Sequence, residues 1–337
     1  MVFEPPRCPY PVCPASTPAA HYAYILRGFY RRKCDGRWVQ RYRCLTCKLS
    51  FSDQTFRVDY RYRKPHLDGP IFDAFVSKVT HRQSARALHT TRKTVERRLR
   101  RYGEHARLFH QARVLGKKLA GVFQLDEAET FETDRRLQPV TLPVLIERDS
   151  RFFVHVETAP LPARKVATPA LERRQRDHEV RHGKRTSGSR AAVKHCFEAL
   201  ARLRDAGSKL TIQTDMKATY PVILREVFGE QGFVHQQTHS KVQRDHDNPL
   251  FAINHTLAML RDGLSRLVRR TWAHAKLRAR LELQTWIYVL WRNYVRYVTN
   301  QRKQESPAMR VGIESAKWTR SGVLGWSARF PELLHVH

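Results

Sequence analysis

Residues 248–267 carry Leu250, Ile253, Leu257, Leu260, Leu264 and Leu267 at 3-4-3-4-3 spacing, which predicts an amphipathic helix with one buried seam. Asn248 is placed to cap it, with Pro249 in the first turn. Asn254 lies too deep to cap and borders the seam, so its amide needs another reason. A second helix is predicted by Leu277, Leu281, Trp286, Ile287, Leu290, Tyr294, Val295 and Val298, with enough apolar surface to cover a sheet.

Upstream, the runs GVFQLD, TLPVLIER and RFFVHVET read as three strands, the last two joined at Arg148-Asp149-Ser150. Pro143 argues against the middle run as an interior strand. A helix over 191–206, a strand LTIQTD at 210–215, a helix over 221–228 and a strand GFVHQ at 232–236 follow. Three strands and then α-β-α-β-α is the order of a ribonuclease-H-like α/β sheet, assigned to residues 117–300. Within it, 163–190 is long, basic and ends in Gly/Ser, and reads as a mobile insertion that touches phosphates or is simply disordered. Residues 301–337 read as a C-terminal tail, in which His335 and His337 carry no metal-site pattern.

The first third of the chain has a different pattern, so the expected fold class is multi-domain. In 65–112, Ala85, Leu88, Val95 and Leu99 form the inner side of two short helices joined at His89-Thr90-Thr91, an all-α helix-turn-helix. Its second helix carries Arg92, Lys93, Arg97, Arg98, Arg100 and Arg101, which suits a major groove. In 1–60, Cys8 and Cys13 face Cys44 and Cys47 across strand-like residues and a turn at Asp35-Gly36, the plan of a small β zinc ribbon holding one tetrahedral Zn²⁺. Cys34 is the substitute ligand for Cys13, and Cys196 reads as a core residue.

Composition narrows the partners. Sixty-two Lys and Arg against thirty-one Asp and Glu leave a net charge of +31, which calls for a polyanion, here double-stranded DNA. No run approaches the ~18 apolar residues of a membrane span and the N-terminus lacks a signal-peptide core, so no membrane partner is expected. A cytoplasmic, nucleoid-associated location follows, in which cysteines serve metal rather than disulfides.

Two of the predicted strands end alike, as Gln124-Leu125-Asp126 and Gln213-Thr214-Asp215. On parallel neighbours these aspartates meet at the carboxyl ends, where open α/β sheets place active sites, and they repel unless cations lie between them. Mg²⁺ or Mn²⁺ suits such a pair, and two ions about 3.5–4 Å apart stabilise the attacking and leaving oxygens of displacement at phosphorus. The amide of Asn254 is the leading third ligand, with Glu226, Asp245, Asp247 and Asp262 as rivals. His235 and His239, four apart, read as structural or DNA-facing.

The segments RCPYPVC, RYRCLTC with FSDQTF, SARALHTTRKTVERRL, FQLDE, IQTD and INHTLAMLRDGLSRLVRRTWAHAK together resemble bacterial insertion-sequence transposases of the insertion-sequence-one type and its relatives, over most of 7–297. The resemblance implies a DDE-type nuclease and strand transferase with Asp126 and Asp215 as metal ligands, acting on terminal inverted repeats and target DNA as a homodimer or higher oligomer. Asn254 falls where that family keeps its catalytic glutamate, which implies either an Asp-Asp-Asn site or a catalytically inactive or domesticated DNA-binding protein. Arg270 and Lys276 lie in the segment similar to the family's basic stretch, and are expected to steer phosphates.

Overall fold

The computed structural model describes residues 3–17, 22–165, 168–205, 207–239, 241–243, 245–268 and 272–327. Three short antiparallel strands come first, β1 (Tyr24–Arg31), β2 (Trp38–Cys44) and β3 (Ser50–Ser52), in spatial order β1-β2-β3. Their core is Cys8, Cys13, Tyr42, Cys44 and Phe51. Asp59 ties this sheet to its neighbour, accepting from Arg32 at 2.6 Å and Arg57 at 3.2 Å. Burial works against its charge, but the guanidiniums of Arg57, Arg32 and Arg37 outweigh it and hold the carboxyl at about 2.

Helices α1 (Asp68–Val76), α2 (His81–Ala87) and α3 (Arg92–Val114) follow. Thr80 and Thr91 cap α2 and α3 by accepting from the backbone N–H groups of Gln83 and Thr94. Ala85, Val95 and Leu99 are buried as their periodicity predicts. Helix α3 is longer than its sequence pattern suggests, because Tyr102 and Phe109 on its second half enter the main core rather than ending a separate domain. The crossing is at Gly103, where an added Cβ would lie 2.5 Å from that of Leu283. One hydrophobic core runs from Val58 to Leu324.

The central sheet is mixed. Strands β4 (Val122–Phe131), β5 (Pro139–Glu147), β6 (Phe153–Val156) and β7 (Ala159–Pro160) precede α4 (Pro169–His182), α5 (Ser189–Arg202), β8 (Leu210–Asp215), α6 (Thr219–Phe228) and β9 (Phe233–Thr238). The spatial order is β6-β5-β4-β8-β9, with β7 also on β5. The β4–β5 and β5–β6 pairs are antiparallel, whereas β4–β8 and β8–β9 are parallel. The succession along the chain, three strands and then alternating helices and strands in one mixed α/β sheet, is the one the sequence predicts. Strand β5 is interior despite Pro143. The proline lies opposite the break between β6, which pairs with 144–146, and β7, which pairs with 140–141, so the ladder loses no donor there.

Helices α7 (Phe251–Gly263), α8 (Arg278–Leu290), α9 (Pro307–Arg310) and α10 (Arg320–Gly325) complete the chain. All six seam residues from Leu250 to Leu267 are buried, but the helix begins and ends inside that stretch. Asn248 is not its N-cap: the asparagine closes the preceding turn, accepting from Leu250 N–H at 2.8 Å and donating to Gln243 C=O at 2.7 Å. After α8 a π turn, Trp291–Val295, points Asn293 inward to bond both the N–H and C=O of Phe153 at 2.9 Å.

Two stretches depart from their sequence reading. The basic insertion contains helix α4, which buries no residue, and Arg174 bridges to Asp134 at 2.6 Å. The expected tail packs up to 327: Ala308, Ile313 and Val323 are buried, and Trp318 and Trp326 sit edge-on to Phe109. Helices α9 and α10 are too short to give a periodic signal that reveals this. His335 and His337 lie outside the described residues. Among the described residues, no helix is long and apolar enough to cross a membrane.

His105 and His110 are buried and neutral, pulled down to about 4 by desolvation. The His110 Nε2–H donates to the Val154 carbonyl at 3.1 Å, so its Nδ1 accepts from the Tyr294 hydroxyl at 3.0 Å. The unfolded chain takes up these protons below the ordinary 6.5, whereas the folded chain resists until about 4. Stability is therefore fully present above the unfolded value and is lost as pH falls through that window, by on the order of 3 kcal/mol per histidine. Urea midpoints measured between pH 7 and pH 4.5 should fall, and His110→Gln should lessen the slope by about one proton.

Candidate functional site

The chain brings Asp126, Asp215 and Asn254 to one small open cavity of about 60 Å³, which Thr238, His239, Val242, Asn248 and Leu250 also line. Its volume is well below the roughly 300 Å³ at which pockets for organic ligands begin, so its chemistry is that of ions, water and a passing substrate group.

The sheet places the two acids. The parallel pairing of β4 and β8 ends with Gln124 opposite Gln213, and Asp126 and Asp215 follow two residues on along each strand, on the face of their glutamine, where both line the cavity. Asp126 is not at a strand end as its sequence suggests. Strand β4 continues to Phe131 on β5, while β8 stops at Asp215, so the site opens where one neighbour ends and the other runs on. Strand β9 repeats the pattern: Gln236 is opposite Gln213, and Thr238 is opposite Asp215. A row of glutamines thus underlies a row of Asp, Asp and Thr.

That glutamine row is hydrogen-bonded throughout. Gln124 Nε2 donates to Gln213 Oε1 at 2.7 Å, and Gln213 Nε2 donates to Gln236 Oε1 at 2.8 Å. Gln124 also fixes α7. Its Nε2 donates to the Pro249 carbonyl at 2.7 Å, and its Oε1 accepts the first-turn N–H of Ile253 at 2.9 Å. Asn254, the next residue, is thereby set over the acids.

Behind the site, Glu127 on the opposite face of β4 gathers four partners. Its carboxylate accepts from Thr141 Oγ1 at 2.7 Å, Ser189 Oγ at 2.8 Å, Tyr220 OH at 3.0 Å and the Lys217 ammonium. Lys217 N–H in turn donates to Asp215 Oδ1 at 3.1 Å, and Glu127 N–H donates to Asp126 Oδ1 at 2.7 Å. Each acid is therefore oriented by a residue of the same ion pair. Burial first, and then the charges of Glu127, Asp215 and Asp126, push the Tyr220 hydroxyl far up, so it stays a donor.

None of the rival acids lines this cavity. Glu226 pairs with Arg190 and Lys194, Asp262 with Lys78 at 3.1 Å, and Asp245 accepts from Asp247 N–H at 3.1 Å. The two histidines separate: His235 contacts Thr214 Oγ1 at 2.8 Å, whereas His239 lines the cavity. Sequence spacing missed Thr238 and Glu127, and it named His239 only as structural or DNA-facing; the available signal for Thr238 was the third Gln-x-polar repeat, at 236–238.

The second candidate centre is the ribbon. The sulfurs of Cys8, Cys13, Cys44 and Cys47 all lie within 4.8 Å of one another, with Cys8–Cys47 at 3.7 Å and Cys13–Cys44 at 3.9 Å. A tetrahedron with metal–sulfur bonds of ~2.3 Å has edges of about 3.8 Å, so the cluster matches a tetrahedral ion. Four thiols this close resist joint ionisation. Burial and the neighbouring sulfurs push Cys8 up to about 12, while at Cys44 burial is outweighed by N–H groups of Cys47 and Thr46, which bring it down to about 6. Cys34 is exposed and donates to Tyr62 C=O at 3.5 Å, outside the cluster, and Cys196 is buried core.

The basic helix divides. Arg92, Lys93, Arg97 and Arg100 are exposed. Arg98 corrects its sequence reading as phosphate-facing: it is 4% exposed, bonds Asp68 at 2.7 Å and Lys64 C=O at 2.7 Å, and lies over the Tyr62 ring. Arg101 likewise turns inward to the Tyr60 carbonyl and the same ring. Both sit where α3 meets the 58–68 segment, whose carbonyls need donors. Lys276 is exposed with Nζ 2.5 Å from His274 Nε2, and Arg270 lies outside the described residues.

Gln124→Ala strands Ile253 N–H, Pro249 C=O and Gln213 Oε1, at about 1–3 kcal/mol for each group left unpaired in the interior. Chemical denaturation should register a loss near the top of what single substitutions cause; a loss under about 1 kcal/mol would remove the glutamine from this role.

No protein-family model matches the chain, and no curated protein matches it. Among solved structures it is similar to the catalytic domain of Mos1 mariner transposase, with 11% identity, TM-score 0.28 and coverage of 58% of this chain and 85% of that one. It is also similar to the Mos1 mariner paired-end complex with Mn, with 12% identity, TM-score 0.25 and coverage of 53% and 61%. At these levels the functional reading rests on the residues themselves.

Proposed function

We propose that the chain is a metal-dependent DNA nuclease and strand transferase, a transposase related to the insertion-sequence-one type. The observation that carries this reading is that Asp126 and Asp215, each two residues beyond the paired Gln124 and Gln213 on parallel strands, line one cavity together with Asn254. Two carboxylates and an amide form an all-oxygen donor set suited to Mg²⁺ or Mn²⁺. When bound, such ions supply charge for the attacking and leaving oxygens of a phosphodiester.

The chain's own residues do the rest. Asp126 and Asp215 hold the ions, and the Glu127–Lys217 pair keeps both carboxylates aimed. Asn254 completes the set without adding negative charge, so a phosphate is repelled less than by a third acid. The ribbon binds one Zn²⁺ through Cys8, Cys13, Cys44 and Cys47. Helices α2 and α3 act as a helix-turn-helix that reads double-stranded terminal repeats through Arg92, Lys93 and Arg97, without Arg98 or Arg101. A dimer or higher oligomer handles the two ends.

The second reading, a DNA-binding protein without catalysis, is favoured by the amide at position 254 in place of an acid. Cleavage of a labelled terminal-repeat duplex in Mg²⁺ or Mn²⁺, with target plasmid present, separates the two. Asp126→Asn and Asp215→Asn should each slow cleavage by roughly 10²–10³-fold or more while leaving binding intact, and Asn254→Ala by about 10–100-fold. Wild-type protein that binds but never cuts would leave only the second reading.

For the ribbon, elemental analysis should give one zinc per chain. Cys44→Ser should abolish it and lower the melting temperature, since metal affinity there is folding free energy. Retention of zinc by that variant would overturn the ligand set.

A further inference from the structure

Away from the acids, a cleft of about 650 Å³ lies between the α2–α3 corner and the segment that leads into α8. Arg82 and Arg92 line one wall, and Arg266, Lys276 and Arg280 the other. Among the described residues, the one acid in its lining is Glu96, whose carboxylate is 3.7 Å from Arg280 Nε. Arg266 spends its hydrogen bonds on the neutral Gln284 and on His81, at 3.4 Å, rather than on a carboxylate. Burial, and after it repulsion from Arg280, bring Arg266 down to about 10; burial with the charges of Arg266, Arg92 and Arg280 holds His81 at about 3. Such a concentration of like charge in a half-enclosed space is costly and is relieved by an anion.

At the cleft stands Trp272, 95% exposed, the most exposed of the large hydrophobic side chains among the described residues. An indole left in water beside cations is poorly placed as packing but well placed to stack a base. The cleft lies in the size range that accommodates a small ligand or a few nucleotides. It also lies one helix from the acids: α7 starts at their cavity and ends just before Arg266, a run of roughly 20 Å.

We propose that this cleft binds an unpaired DNA strand, with phosphates on Arg82 and Lys276 and a base against Trp272, adjoining the strand held at Asp126 and Asp215. The proposal rests on the nuclease reading for its substrate, and it adds a preference for single strands that the helix-turn-helix does not account for. Arg82, Trp272 and Lys276 are exposed, so replacing them leaves the core intact.

The test uses the full chain, a labelled oligothymidine of about eight nucleotides and a duplex of the same length, followed by fluorescence anisotropy across a salt series. Arg82→Ala with Lys276→Ala should weaken the single strand on the order of tenfold and reduce its salt slope by about 1.4. Trp272→Ala should shift the preference from single strand towards duplex by on the order of tenfold. Tryptophan quenching by the oligonucleotide should shrink in Trp272→Phe. Variants that melt like wild type yet bind the single strand like wild type overturn the proposal, as does equal loss on both DNAs, which would indicate a general duplex surface. The nuclease reading fails separately: if cleavage survives Asp126→Asn while the cleft variants lose the single strand, the cleft stands and the active-site assignment falls.

Discussion

The side chain of Gln124 is the constraint on which the site depends. It is fully buried, and each of its polar atoms is used: the amide nitrogen binds Gln213 and the Pro249 carbonyl, and the oxygen accepts the Ile253 N–H. A buried amide is tolerated only when satisfied in this way, and once satisfied it admits one arrangement of its partners. The partners here are a neighbouring strand and the first turn of α7. The same bonds that remove an energetic penalty therefore fix the separation of the two acid-bearing strands and the placement of Asn254 above them. A leucine seam alone would let the helix slide; the glutamine gives it register.

Charge is handled by a similar division of labour. With a net charge of +31 the chain has cations to spare, and part of them is used internally. Arg32 and Arg57 neutralise Asp59 at the ribbon junction, Arg98 neutralises Asp68, and Arg113 binds Glu314 to hold the C-terminal segment. Lys217 and Glu127 do the same beneath the acids. What is left over is not evenly spread: it faces outward on α3 and collects in the cleft between α2 and α8, beside an exposed indole. Salt screens such partly buried pairs less than exposed ones, whereas any association of the surplus with a polyanion would be strongly salt-dependent.

Much of the sheet was legible because its information is local. Apolar runs separated by turns identified the five principal strands and their order along the chain, which pointed to one α/β sheet, while their spatial order came from the structure. The Gln-x-Asp repeat marked 124–126 and 213–215 because a period of two fixes which side chains share a face. The cysteine spacing grouped Cys8 with Cys13 and Cys44 with Cys47 for the same reason, since each pair is a short-range object. Arg98 was misread because a helix pattern shows the angle of a side chain but not what packs over it; Tyr62 and Asp68 lie thirty or more residues upstream. The segment beyond 301 was misread because its helices are too short to have a period, and its burial comes from two tryptophans meeting Phe109.

By itself, then, the sequence determined most elements of the sheet, the face each acid occupies and the grouping of the cysteines, all of which depend on neighbours within a few residues. Only the tertiary structure decided that β4 outruns β8 beside Asp126, that Asn254 rather than Glu226 or Asp262 reaches the acids, and that α3 belongs to the main core. Those outcomes depend on contacts between residues a hundred or more positions apart, such as Gln124 with Ile253 and Gly103 with Leu283. Packing and the satisfaction of buried polar groups select among such contacts, and neither leaves a periodic trace along the chain.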